Sequence, residues 1–248
     1  MKHAHLPSLI LLALTAFPAA AQKPMPVEAP APVLVELFAS HNCRACPKAH
    51  RTMTEVDAKR DDVLILTWSV DYWDYLGEKD PMAMAESKDR QRAYVDKFRL
   101  RGPYTPQTVY NGLEQCPGSK PAQVESALKR VSTADPSPAH LARKGGKIEL
   151  TGSVTDLTDI FVIDYLDGDA NPTNMVHPVT HVTSIGPWIG GRVEIDPSVC
   201  KTTCAGCPGS RLRPRPRCDG YQPLGLRAGP ARPFHRAKAG AQSMRWMA

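Results

Sequence analysis

Cys43-Arg44-Ala45-Cys46 is followed by Pro47. Two cysteines at this spacing can close a small disulfide ring and reopen it if they sit at the mouth of a helix. There the first-turn amides stabilise a thiolate, and the thiolate is the nucleophile. Cys43, the outer sulfur, would attack a partner, and Cys46, one turn inside, would resolve the mixed disulfide. Arg44, Lys48 and His41 add positive charge around the pair. Glu36, in the run before the cysteines, could relay the proton that Cys46 must lose or gain, because a buried carboxylate near a thiol has a raised pKa suited to that task. The same residue types admit two other chemistries. His41-x-Cys43-x2-Cys46-x3-His50 offers soft ligands for Cu(I) or zinc, and a CxxC pair can also form a purely structural disulfide.

The flanking sequence supplies the elements that must hold such a pair. Residues 33–39 form a short apolar, β-branched run, the pattern of a buried strand, broken by Ser40-His41-Asn42. Ala45, Ala49, Met53 and Val56 recur at helical spacing, and Pro47 suits a first helical turn, where the amides have no intrahelical acceptor. Residues 63–70 read as a second buried strand and residues 82–98 as a helix. Gly102-Pro103-Tyr104-Thr105-Pro106-Gln107 leads into Thr108-Val109-Tyr110 and an Asn111-Gly112 turn signal. Val124, Ala127, Leu128 and Val131 then form one apolar face of a last helix, with Pro121 near its start. The segment 71–80 leaves the C-terminal end of the second strand, the end at which the CxxC helix also begins in a parallel α/β sheet. Its aromatics Tyr72, Trp73 and Tyr75, interleaved with Asp71 and Asp74, form either a recognition wall beside the thiols or an ordered loop pinned by buried rings.

This order of elements resembles the thioredoxin superfamily over residues 33–133. The resemblance implies an α/β fold in which a central sheet is flanked by helices. It implies that the Thr105–Pro106 bond is cis and faces the cysteine pair, with the backbone of Thr105 available to an extended substrate. It also implies a buried acid at Glu36, although one extra residue separates it from the first cysteine. A second resemblance rests on Val35-Glu36-Leu37-Phe38, the CxxCP, Asp71-Tyr72-Trp73-Asp74-Tyr75-Leu76-Gly77 with Lys79-Asp80-Pro81, Gln91-Arg92-Ala93-Tyr94 and Tyr104-Thr105-Pro106-Gln107. Together these are similar to the exported bacterial family known as domain of unknown function 1223. Its members carry a thioredoxin-like domain followed by a β-rich region, and the family supplies no substrate. Asp71, Trp73 and Tyr104 are the expected substrate-facing residues.

The expected organisation is a signal peptide over 1–21, a Pro-rich linker over 22–32, the thioredoxin-like domain over 33–135, a small antiparallel β-rich region over 140–207 and a disordered basic tail over 208–248. Lys2, the apolar stretch within 6–17 and Ala19-Ala20-Ala21 have the n, h and c order of an export signal, which predicts a periplasmic or secreted protein in an oxidising space. Short strands are expected over 147–154, 160–165, 176–185 and 192–195, with Asp167-Gly168 and Gly190-Gly191 as turns. On a strand, His177 and His181 would lie about 13 Å apart, too far to share a metal, so they read as packing or surface residues. Cys200, Cys204 and Cys207, with Cys218, read as a structural disulfide or a zinc site, and seven cysteines cannot all pair internally.

The chain has 248 residues, 42% of them apolar, and a net charge of +6. That is long enough for one large domain or two small ones. The charge is unevenly placed. Residues 208–248 hold nine Lys or Arg and one acid, so the remaining 207 residues are slightly acidic. A nucleic-acid partner is therefore not expected. Arg, Pro, Gly and Ala make up 25 of those 41 tail residues, which include no Ile or Val. This composition fits a basic arm or a GC-rich stretch translated out of frame. No run of about 18 apolar residues would span a membrane. The expected function is thiol–disulfide exchange on protein or peptide thiols, recycled by an unidentified redox partner, without a cofactor or a resident metal.

Overall fold

The computed structural model describes residues 32–132, 139–144, 146–167, 171 and 173–199. Strand β1 (Val33–Ala39) is buried along its whole length. It occupies an inner position of a four-stranded sheet of order β2-β1-β3-β4. β2 (Val63–Ser69) pairs with it in parallel, and β3 (Gln107–Tyr110) pairs antiparallel on its other side. β4 (Glu114–Pro117) completes a hairpin with β3. The hairpin turn runs through Asn111 at φ 46° and Gly112 at φ 64°, the left-handed region that the Asn-Gly dipeptide favours.

Alternation along β1 assigns its side chains to two faces. Val33, Val35, Leu37 and Ala39 join a core with Ala49 and Met53 of α1 (Cys46–Asp57) and with Val124, Ala127, Leu128 and Val131 of α3 (Pro121–Ser132). Leu34 and Phe38 point the other way and pack with Leu64, Leu66, Trp68, Val109 and Tyr94 of α2 (Ala85–Lys97). Between them on this second face sits Glu36, fully buried, with both carboxylate oxygens bonded to the Arg90 guanidinium and with the Tyr94 hydroxyl donating to it. Arg90 also lies over the Trp68 ring, 5.2 Å from its centroid. The buried face of α2 is therefore polar, made of Ser87, Arg90, Gln91 and Tyr94. Burial by itself would lower the Arg90 pKa, but Glu36 beside it holds the guanidinium above its ordinary value.

The second half differs from the expected chain of short strands. β5 (Ala139–Lys144), β6 (Lys147–Tyr165) and β7 (Val179–Ile195) form one antiparallel sheet in which the long β6 lies between β5 and the long β7. The Gly190-Gly191 pair is not a turn. It lies within β7 opposite Ser153 and Gly152, beside a register shift. Both glycines have positive φ, and a Cβ on Gly190 would approach the Gly152 carbonyl oxygen to 3.2 Å. A bulge absorbs these residues without reversing the chain. β5 precedes the first of the expected strands. The segment before β7 ties this sheet to the first. Thr67 donates its backbone N–H to the His177 carbonyl at 3.1 Å and its hydroxyl to the Val176 carbonyl at 2.6 Å. His177 precedes β7 rather than lying in it, with Nδ1 2.9 Å from the Ile65 carbonyl and Nε2 3.2 Å from Asp167, so it is a packing residue.

The expected signal peptide, most of the linker, the later cysteines Cys200, Cys204, Cys207 and Cys218 and the basic tail lie outside the described residues. Among the described residues no helix is long and apolar enough to cross a membrane. The Glu36–Arg90 pair generates a prediction. Arg90→Ala strands a buried carboxylate and should lower unfolding free energy by about 3–5 kcal/mol in urea denaturation. Arg60→Ala, which removes an exposed pair with Asp62, should leave the midpoint within experimental scatter.

Candidate functional site

Three connections meet at one end of the first sheet. β1 and β2 run parallel, so the segments that follow them leave from the same edge. β3 runs antiparallel to β1, so the segment that precedes it arrives there. Gln107 pairs with Phe38, which brings Pro106 to the level of Ala39, and the Thr105–Pro106 peptide is cis.

The first connection carries the cysteines. Cys43 and Cys46 are joined as a disulfide with Cα atoms 5.4 Å apart. The Cys43 N–H donates to the Ser40 carbonyl at 3.2 Å, and the Cys46 N–H to the Cys43 carbonyl at 3.1 Å. Helix α1 begins at Cys46 with Pro47 in its first turn. Its N-cap is Ala45, it has no side-chain cap, and no acid lies in that turn. The helix start thus carries no acid of its own, and Cys43 stands just before it. Cys43 is 6% exposed and Cys46 has no exposure, which makes Cys43 the outer sulfur. Arg44, Lys48 and His41 are exposed around the pair.

The second connection clasps the first. Asp80 is buried, and its carboxylate accepts the His41 N–H at 2.7 Å and the Met82 N–H at 2.9 Å. Its own N–H donates to the Asp74 carboxylate at 3.1 Å. The Asn42 amide donates to the Glu78 carbonyl at 2.7 Å. A Cβ on Gly77 would fall 2.7 Å from the Asn42 side-chain oxygen, so a side chain there would have to displace the Asn42 amide. The third connection is held by the second: the Trp73 indole N–H donates to the Thr105 hydroxyl at 2.7 Å. Gln91 of α2 accepts from the Tyr72 hydroxyl and donates to the Tyr104 carbonyl and the Gln107 side chain.

The sequence-derived site divides accordingly. Cys43, Cys46, Thr105, Pro106, Asp71, Trp73 and Tyr104 belong to the connections at this end of the sheet. Glu36 is not among them. Alternation puts its side chain on the α2 face, while Cys46 packs on the α1 face, and Arg90 and Tyr94 already occupy its carboxylate. The polar tips of the expected substrate-facing residues have partners within the chain: Asp71 pairs with Lys88 at 2.7 Å, Trp73 bonds Thr105, and the Tyr104 phenol donates to Gln115. The surface left open in the wall is apolar, with Tyr75 76% and Leu76 55% exposed. Among the described residues no three His, Cys, Asp or Glu side chains gather as a metal-binding set. Sequence reasoning assigned no role to Asp80 or to the Gln91–Gln107 pair. The Asp80-Pro81 dipeptide before a helix was the available signal for the former.

His50, considered from sequence only as a soft ligand, lies in α1 one turn after Cys46. Its Nδ1 is buried and has no hydrogen-bond partner among the described residues. Burial pushes its pKa below the ordinary 6.5, with Asp80 opposing the shift.

Comparison with known proteins agrees with the sequence motifs. The chain belongs to the family of proteins of unknown function DUF1223, whose model matches residues 34–172. It is similar to a protein of Agrobacterium tumefaciens known from an X-ray crystal structure, with 28% identity and a TM-score of 0.56 over 69% of this chain and 81% of that one. It also aligns with HBP35 of Porphyromonas gingivalis at 15% identity and a TM-score of 0.42, over 67% of this chain and 63% of the other. No curated protein matches the chain.

The His50 environment has a pH consequence. The unfolded chain takes up a proton near pH 6.5, before the buried imidazole does. The stability that His50 contributes is thus full above that pH and is lost as pH falls below it, through the lower folded value. Urea midpoints measured between about pH 7 and about pH 5 should fall more in the wild-type chain than in His50→Gln.

Proposed function

We propose that this chain is an exported, thioredoxin-like thiol–disulfide oxidoreductase acting outside the cytoplasm on protein or peptide thiols. The observation that carries the reading is the Cys43–Cys46 disulfide at an uncapped helix N-terminus, with the two sulfurs unequally buried. The cis Thr105–Pro106 bond at the same end of the sheet supports it, as does the strand–CxxC–helix–strand order. In the reduced chain the Cys43 thiolate attacks a client disulfide. One client sulfur leaves as thiolate while the other stays bonded to Cys43. Cys46 then loses its proton and attacks the Cys43 sulfur, the mixed disulfide breaks, and the client departs with both sulfurs reduced while the Cys43–Cys46 bond forms. The reverse sequence oxidises a dithiol. Thr105 offers backbone bonds to an extended client segment, and Trp73 fixes the Thr105 side chain. Tyr75 and Leu76 give that segment an apolar landing surface.

Cys46→Ser tests the reading by removing the resolving sulfur. Disulfide-linked adducts on Cys43 should accumulate when the reduced variant meets an oxidised client, be released by reductant, and be absent from Cys43→Ser. No adduct under these conditions would refute exchange through this pair. Leu76→Ser should slow reaction with an unfolded cysteine-bearing polypeptide several-fold while leaving reaction with glutathione disulfide unchanged, as followed by the rate of disulfide formation.

A further inference from the structure

Cys46 has no exposed surface, so in an exchange reaction its proton cannot pass directly to solvent. The acid that sequence reasoning placed beside it, Glu36, lies on the other face of the sheet and is held by Arg90. His50 is four residues further along α1. Positions i and i+4 of a helix share a face, with Cβ atoms about 5–6 Å apart. Helical side chains lean toward the N-terminus, so the imidazole of His50 leans toward the turn that Cys46 opens.

We infer that His50 is the proton acceptor for the Cys46 thiol, an assignment that rests on the exchange reading above. In the Nε2–H tautomer, Nδ1 carries a free lone pair. That atom is buried and, among the described residues, without a partner here, where Cys46 is oxidised and has no S–H to give. Reduction supplies the missing donor. When the mixed disulfide on Cys43 is resolved, the Cys46 proton moves to His50 Nδ1, the Cys46 sulfur bonds to the Cys43 sulfur, and the client sulfur leaves as thiolate. Asp80, the buried carboxylate of the clasping loop, favours the imidazolium so formed by its charge. The strands beneath α1 direct Val35, Leu37 and Ile65 toward it, all apolar. From the segment before β7, His177 faces α1 only at its far end, 3.9 Å from Asp57. Asp80 is thereby the charge that steadies the protonated state. It also fixes the backbone entering Cys43, which makes it a positioning residue for both sulfurs.

The test uses the reduced full-length chain and glutathione disulfide. Samples are quenched in acid and digested with pepsin. The peptide carrying Cys43 and Cys46 is then followed by mass, first as glutathione adduct and then as internal disulfide. In His50→Gln the adduct should form at the wild-type rate, while its conversion slows about tenfold near neutral pH and recovers toward wild type near pH 9, where a thiol ionises unaided. A merely structural role would slow both steps and would not be rescued by alkali. Wild-type conversion across the pH range in His50→Gln overturns the assignment and leaves the exchange reading standing. Failure of the wild-type chain itself to form the adduct overturns both.

Discussion

A carboxylate without access to water lies in the central strand of the first sheet, and the arrangement of that sheet's second face follows from satisfying it. Glu36 takes both oxygens to Arg90 and Tyr94 of α2. A buried pair of this kind contributes little net stability compared with apolar packing, but it penalises any arrangement in which one partner is displaced. The helix that supplies the partners is thereby fixed in register, with Arg90 over Trp68 and Tyr94 edge-on to Phe38. From the same helix Gln91 reaches the Tyr104 carbonyl and Gln107, and Lys88 reaches Asp71. The ion pair thus locates, through α2, two of the three connections that surround the cysteines.

The division of labour across the sheet is correspondingly sharp. One face holds the charged pair and is closed. The other is apolar beneath α1, and the cysteines stand at its upper rim. The loop over 71–82 joins the two halves of the site, because it bonds the backbone before Cys43 through Asp80 and the residue before the cis proline through Trp73. A disturbance in this loop is felt at both. The runs on which the family resemblance rests fall on these contacts: Asp71 to Gly77 and Lys79-Asp80-Pro81 form the clasp, and the Gln91 and Tyr104 runs form its anchors.

Much of this was legible in the chain. β1 and β2 were evident as apolar runs, α3 from one apolar face, and α1 from its cysteines, its proline and Ala49 and Met53. What escaped did so for identifiable reasons. The role of Glu36 depended on a partner 54 residues away, and alternation along a strand that is buried on both sides does not say which helix covers which face. The helix expected over 82–98 is present as α2, but its inward side is polar, so no apolar stripe announced which face it buries. β7 was read in pieces because glycines inside a bulged ladder have the composition of a turn, and β6 because the mostly polar run 155–159 beside the register shift interrupts its apolar pattern. His50 looked like a ligand by spacing, and only the structure shows its Nδ1 buried without a partner among the described residues.

The seam between the two sheets has a consequence for how the chain can be divided. β2 is the outermost strand on its side of the first sheet, and the segment 176–178 fastens to it through Thr67, by a parallel bridge to Pro178 and by bonds to both neighbouring carbonyls. Unfastened strand margins recruit other polypeptides. The second half therefore acts as a selvedge: trimming the chain after α3 would leave a raw border of amides and carbonyls on the thiol-bearing half, and that half would be sticky in isolation.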